Sequence, residues 1–343
     1  MSKQKHSRSL FIVVVIFAML FPMSVGMQVE QVQAENSRAE CVMDASSLRV
    51  LWQQNGDLRL PMASTTKIAT ALTVIEKEKD LDRIIRVPLA AVGIEGSSVY
   101  LKEGDKISIR ELLYGLMLRS GNDCALALAL SQAESIAAFS KEMNEQAEKA
   151  GALNSHFRNP HGLPCKNHYT TAIDLSRITA SALQSATFQE IVSTKYYAPR
   201  NWQNKNKMLT RYVGAIGVKT GYTKEAGRCL VTAAKRGNLT LICTVLSCAR
   251  MYERTEELLD AYFAAYQNHM LVSADEQFSL DIHGKSFLTT TQEDLVYPML
   301  TEEMEWVERR ISPVEGREKE GILGKIEIYL LKRLLFSRNL YKL

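Results

Sequence analysis

Blocks of apolar and polar residues along this chain of 343 residues change period twice. Residues 41–44 and 49–53 are short apolar runs on either side of Ala45-Ser46-Ser47, a spacing that predicts two strands joined by a turn. From Ser64 onward Ile68, Ala69, Leu72, Val74 and Ile75 recur at helical spacing and give way to the charged residues 76–80, so a helix is expected to begin near Ser64. The same rhythm predicts helices over 110–118, 124–132, 136–150 and 172–183. Residues 217–222, 228–235 and 239–248 then read as strands, the last two joined by the hairpin turn Arg236-Gly237-Asn238. Helical spacing returns over 253–266, with Leu258, Leu259, Tyr262 and Phe263 on one side.

Strands at both ends of a helical middle imply one sheet completed by the two termini of a domain, an arrangement of the α/β class in the broad sense and α+β in detail. Beyond about residue 270, alternating segments at 278–282 and 325–330, with Gly284, Gly316, Gly321 and Gly324 between them, predict a small β-rich domain. The expected division is therefore 1–34, 35–269 and 270–343.

The first of these spans is an export signal by its pattern. Lys3, Lys5 and Arg8 precede the apolar run from Leu10 to Phe21, which is too short to span a membrane, and Val32-Gln33-Ala34 supplies small residues for cleavage after Ala34. The mature protein is thus expected to be exported and to work outside the cytoplasmic membrane. The formal charge of +4 for the whole chain gives no footprint for nucleic acid. Six cysteines, Cys41, Cys124, Cys165, Cys229, Cys243 and Cys248, permit disulfides in an exported chain, yet most lie in apolar segments where a free thiol behaves as a small hydrophobe. No Cys-x-x-Cys or His-x-x-x-His pair exists, so neither a metal site nor a cofactor is expected, and His161 and His168 are read as structuring their loop.

Three short motifs follow one another in order: Ser64-Thr65-Thr66-Lys67, Ser120-Gly121-Asn122 and Lys219-Thr220-Gly221. A serine followed one turn later by a lysine puts hydroxyl and ammonium on one helical face. Lysine can deprotonate serine only if its pKa falls, which burial and a second nearby cation would achieve, and Lys219 is the candidate cation. The hydroxyl of Ser120 is placed to pass a proton toward a leaving amine, and the Asn122 amide to hold a substrate carbonyl and the lysine. Lys219 and Gly221 are poor choices inside an apolar strand unless something docks there. Gly221 admits close approach, the N–H of Tyr222 can join that of Ser64 in an oxyanion hole, and Lys219 with Thr220 can receive a carboxylate. Such a site suits a peptide with a free C-terminus.

With these motifs the chain resembles the serine-type D-alanyl-D-alanine carboxypeptidases, the low-molecular-mass penicillin-binding proteins, over nearly all of residues 40–330. The resemblance extends to Pro61-Met62-Ala63, Gly96-Ser97-Ser98, Asn159-Pro160-His161-Gly162-Leu163, His168-Tyr169-Thr170-Thr171 and Ala226-Gly227-Arg228. It implies a β-lactamase/transpeptidase-like domain with an antiparallel sheet and a helical subdomain. It also implies an acyl-enzyme on Ser64, Lys67 as proton acceptor, Ser120 completing the relay and Lys219 binding the carboxylate. The implied partners are peptidoglycan stem peptides, which lose their terminal D-alanine, and β-lactam antibiotics as acylating inhibitors. Where relatives often end in an amphipathic helix, this chain has Lys332, Arg333, Arg338 and Lys342 among apolar residues. That composition leaves room for peripheral membrane contact, although final strands are the expected form. Two rivals share the motifs. A class A β-lactamase needs a Glu-x-x-Leu-Asn segment that is absent between Asn122 and Lys219, and a non-turnover β-lactam sensor or wall-binding protein would not be expected to keep every reactive side chain.

Overall fold

A computed structural model describes residues 37–343, so the expected signal at 1–34 lies outside the described residues. Strands β1 (Ala39–Asp44), β2 (Val50–Gln54), β3 (Ala215–Thr223), β4 (Gly227–Arg236) and β5 (Leu239–Leu246) form one antiparallel sheet in the order β2-β1-β5-β4-β3. Its centre is the pairing of β1 with β5, from Ala39 opposite Leu246 to Asp44 opposite Leu241. The inner strands β4 and β5 carry long apolar stretches because both faces are covered. Alternate residues Cys41, Met43, Val231 and Ala233 pack among the helices. Their neighbours Val42, Leu230, Cys243 and Val245 pack with Leu258, Leu259 and Tyr262 of the helix Met251–Ala265 on the other face.

The helical layer comprises α1 (Lys67–Lys77), α2 (Ile109–Leu118), α3 (Asn122–Gln132), α4 (Ile136–Lys149), α5 (Ala172–Ala182) and α6 (Ala186–Ser193). A reciprocal box opens α2: the Glu111 N–H donates to Ser108 Oγ, and the Glu111 carboxylate accepts from the Ser108 N–H. In α1 every residue from Lys67 to Val74 is buried, so Lys67 is a charged residue type at a core position. The expected helix start needs correction. Ser64 lies on a 3-10 turn, Ala63–Thr66, and the α-helix begins at Lys67. Ala63 takes φ +49°, and Met62 O accepts from both the Thr65 N–H and the Thr65 hydroxyl, which tightens the chain one turn before the α-helix starts. The short α6 is unanticipated, since eight residues carry too little periodicity to stand out.

After Tyr266 the chain is β-rich. Gln267–Val272 pairs with Leu295–Met299, and a five-stranded antiparallel sheet is ordered Phe278–Ile282, Lys285–Thr290, Arg333–Lys342, Ile322–Leu330, Val307–Pro313. The basic and apolar tail is thus a strand. Arg49, just before β2, ties the two parts together by donating to Pro298 O at 2.7 Å and to the Glu303 carboxylate. Among the described residues no helix is long and apolar enough to cross a membrane.

Candidate active site

The 3-10 turn holds Ser64 half-buried at the mouth of a cavity of about 440 Å³. Lys67 Nζ lies 2.9 Å from Ser64 Oγ, 3.4 Å from Ser120 Oγ, 2.6 Å from Asn122 Oδ1 and 3.1 Å from His161 O. An ammonium has only three N–H groups for these four oxygens. A neutral amine has two, which the Asn122 and His161 carbonyls satisfy, and its lone pair is then left for the Ser64 hydroxyl. Burial first, and the Lys219 charge second, hold the Lys67 pKa well below the ordinary lysine range. The geometry is therefore that of a serine in hydrogen-bond contact with a buried lysine whose pKa is lowered.

Ser120 and Asn122 reach Lys67 from the turn between α2 and α3. Ser120 sits at φ +63° and is buried, a backbone state that a serine holds only when its surroundings impose it. Asn122 opens α3, and its Nδ2–H donates to Glu95 O at 2.6 Å while its backbone N–H donates to Ser97 O at 2.7 Å, which fixes the amide. The buried Asp123 carboxylate accepts from the Ser98 hydroxyl and from the Val99 and Leu101 N–H groups, and so holds the facing loop. Nothing in the motif pattern singles out Asp123, although an acid at a helix N-terminus is a legible signal in itself.

Thr220, Gly221 and Tyr222 line the same cavity from β3. Lys219 leaves the strand on the same face as Gly221, toward the Ser64 turn. It is buried, its Nζ donates to Thr220 O at 2.9 Å, and burial and then the Lys205 charge bring its pKa down to about 7. The cations on the cavity wall are Lys205, which donates to Ser97 Oγ at 3.2 Å, and Arg228. Sequence reasoning missed both as site residues, because β-strand pairing and the loop before β3 bring them in from outside the motifs. The two histidines act by structuring. His168 Nδ1 accepts from the Arg158 N–H, so its Nε2–H donates to Thr66 Oγ1 at 2.9 Å, and burial lowers its pKa to about 4. His161 Nδ1 accepts from the Leu163 N–H, and burial lowers its pKa to about 3. Five cysteines are buried and Cys165 is exposed, all six as free thiols.

Two glycines let the backbone close around Ser64. At Gly162, φ +88°, a side chain would overlap the Ala63 carbonyl. At Gly221 a Cβ would stand 3.0 Å from Met62 O and from Ser64 N and 3.1 Å from Thr65 N, all of them backbone atoms that cannot swing aside. Gly221→Ala is therefore expected to push the Ser64 turn by a few tenths of an ångström and to lower kcat/KM, by less than the about 10²-fold that a misplacement of 1 Å costs. Acylation of Ser64 by penicillin, followed in single turnover, checks it, and an unchanged rate would mean that the close approach has no bearing on catalysis.

A family model described as D-alanyl-D-alanine carboxypeptidase, Peptidase_S11, matches residues 26–249. The chain is 32% identical over 258 residues to the D-alanyl-D-alanine carboxypeptidase DacF of Bacillus subtilis (strain 168), a match covering 71% of this chain and 66% of that one. It thus spans about two thirds of that relative's length. It is 38% identical over 220 residues to a D-alanyl-D-alanine carboxypeptidase of Streptomyces sp. (strain K15), covering 57% of this chain and 76% of the relative. Among solved structures, penicillin binding protein 6B from Escherichia coli superposes with a TM-score of 0.72 at 25% identity, covering 89% of this chain and 95% of the other. Penicillin binding protein 5 from Haemophilus influenzae, at 23% identity, shares the fold with a TM-score of 0.74 over 90% of this chain and 97% of that one.

Proposed function

The chain belongs to the D-alanyl-D-alanine carboxypeptidase family, and from that premise we propose that it removes the terminal D-alanine from peptidoglycan stem pentapeptides through an acyl-enzyme on Ser64. The observation that carries this reading is the fully buried Lys67 amine, its pKa lowered by burial, 2.9 Å from the Ser64 hydroxyl at the mouth of the cavity. In the proposed step Ser64 Oγ attacks the carbonyl between the two terminal residues, and Lys67 Nζ accepts the hydroxyl proton. The developing oxyanion is met by the Ser64 and Tyr222 N–H groups. Ser120 Oγ hands a proton to the departing D-alanine amine and recovers one from Lys67. Water then attacks the ester by the same route in reverse, freeing the tetrapeptide and Ser64.

Asn122 would hold the substrate amide. The terminal carboxylate would meet the Thr220 hydroxyl, Lys205 and Arg228, with Lys219 adding its charge from the strand face that meets the Ser64 turn. β-Lactam antibiotics would occupy the same cavity and acylate Ser64. We further propose export after Ala34, a catalytic unit over 35–269 and a separate β-rich unit over 270–343. No cofactor or metal enters the chemistry proposed, and the basic residues of the last strand would supply any peripheral membrane contact.

The test is D-alanine release from a pentapeptide ending in D-Ala-D-Ala, followed against pH. Activity is expected to fall on the acid side as Lys67 takes up a proton and can no longer act as base. On the alkaline side kcat/KM is expected to fall from about pH 7, where Lys219 loses the charge that draws the carboxylate. The limb in kcat should lie higher, because a bound carboxylate stabilises the ammonium. One equivalent of penicillin per chain should stop release. Penicillin labelling without release at any pH would transfer the assignment to a non-turnover sensor.

A further inference from the structure

We infer that a second groove, on the far side of Ser64 from Lys205, binds the upstream part of the peptide and recognises a carboxylate carried there. This rests on the peptidase reading above, which sets the direction of the substrate. Thr220 stands on the cavity wall with Lys205 and Arg228, and Gly221 lies against the Ser64 amide. A peptide whose terminal carboxylate is met at Thr220 and whose scissile carbonyl is met at Ser64 therefore runs along β3 toward Tyr222. Each strand residue advances about 3.3 Å, so the segment upstream of the scissile bond continues toward the turn between β3 and β4.

Glu225, in that turn, is one wall of an open groove of about 450 Å³. Leu60 and Pro61, which lead directly into the Ser64 turn, form a second side, and the segment from Pro164 to Tyr169 forms the third. The third side is held firmly to the second: the Leu60 N–H donates to Thr170 O at 2.8 Å and the Thr170 N–H donates back to Leu60 O at 3.0 Å. His168, bonded to Thr66 as above, ties the same segment to the nucleophile's own turn. The groove and the catalytic serine thus share one scaffold.

Its charge is asymmetric. Arg59 lies over the Tyr169 ring at 5.0 Å and donates one N–H to Asn154 Oδ1, which fixes the guanidinium while leaving further donors. Neither Lys166 nor Glu225 makes an ion pair or a side-chain hydrogen bond among the described residues. Burial lowers the His168 pKa to about 4, so His168 contributes no charge near neutrality. Two cations and one carboxylate therefore share the groove lining. An upstream carboxylate is drawn to Arg59 and Lys166 and repelled by Glu225.

Two peptides ending in D-Ala-D-Ala, identical except for a carboxylate or a carboxamide on the side chain of an upstream residue, test this. The wild type is expected to favour the carboxylate about five- to ten-fold in kcat/KM, the scale of two exposed ion pairs, chiefly through KM. The preference should shrink as salt rises. Lys166→Glu should bring the ratio to one or below, with its thermal midpoint confirming that it folds. Cys165 lies in the groove and is exposed, so the native thiol gives an independent measurement. Its sulfur, attacking a methanethiosulfonate reagent, forms a disulfide and releases methanesulfinate. A sulfonatoethyl adduct should lower the ratio, and a trimethylammonioethyl adduct should preserve it. Equal kcat/KM for the two peptides in the wild type, or a ratio indifferent to Lys166→Glu, would overturn the groove while leaving the peptidase intact. Hydrolysis of neither peptide would remove the peptidase reading and this inference with it.

Discussion

Replacing Lys67 by methionine is expected to slow D-alanine release by about 10³- to 10⁴-fold, the upper range for removing a positioned general base, with kcat carrying the loss. Methionine is close to lysine in length and suits a position with no exposure. Asn122 keeps its bonds to Glu95 and Ser97 and stays where it is. What vanishes is the proton acceptor beside Ser64 Oγ. Raising the pH should not rescue the variant, because nothing else at the site takes its place. A second signature lies in stability. The folded pKa of Lys67 is depressed below its unfolded value of about 10.4, so between the two the unfolded chain binds a proton that the folded chain does not. Stability must then rise with pH through that window and be lost as pH falls, by up to about 1.4 kcal/mol per pH unit. Lys219 adds the same sign above about pH 7 in both proteins. Urea unfolding at pH 7 and 8.5 should show a smaller rise in the methionine variant. Equal slopes would mean that Lys67 is charged in the fold, which would remove it as the base.

Much of this arrangement is legible before any coordinates. The strand at 228–235 stands out because Leu230, Val231, Ala233 and Ala234 give it an apolar stretch, and helix α4 stands out because its buried residues Phe139, Met143 and Ala147 repeat at helical spacing. The strand Val307–Pro313 is hidden because it is an edge with mostly exposed side chains, including Arg309 and Arg310, so its pattern carries no burial signal. At the site, Ser64 and Lys67 are legible as a pair because one turn of chain joins them. The His161 carbonyl, Lys205 and Arg228 are not, since their approach depends on loops folded back from distant positions. Lys219 shows the limit from the other side. Its motif names the residue, but only the fold reveals that its ammonium donates to Thr220 O.

Ser64→Ala is expected to reduce release by about 10⁴-fold and to abolish covalent labelling by penicillin. The fold should not notice. Ser64 is only half-buried, its hydroxyl is one of four oxygens around Lys67 Nζ, and Ser120, Asn122 and His161 retain theirs. The turn is held by Thr65 on Met62 O, not by Ser64 Oγ, so the backbone N–H groups keep their orientation. Reversible binding of the pentapeptide should therefore survive and can be measured by calorimetry without turnover. Labelling that persists in Ser64→Ala would sink the assignment of the nucleophile. The double variant Ser64→Ala, Lys67→Met gives the sharper test, because a nucleophile and its base act as one unit and their losses do not add. It should be no slower than Ser64→Ala alone. A further drop of about 10³-fold would mean that Lys67 serves a step in which Ser64 has no part, such as activating a water directly, and the acyl-enzyme route would have to be given up.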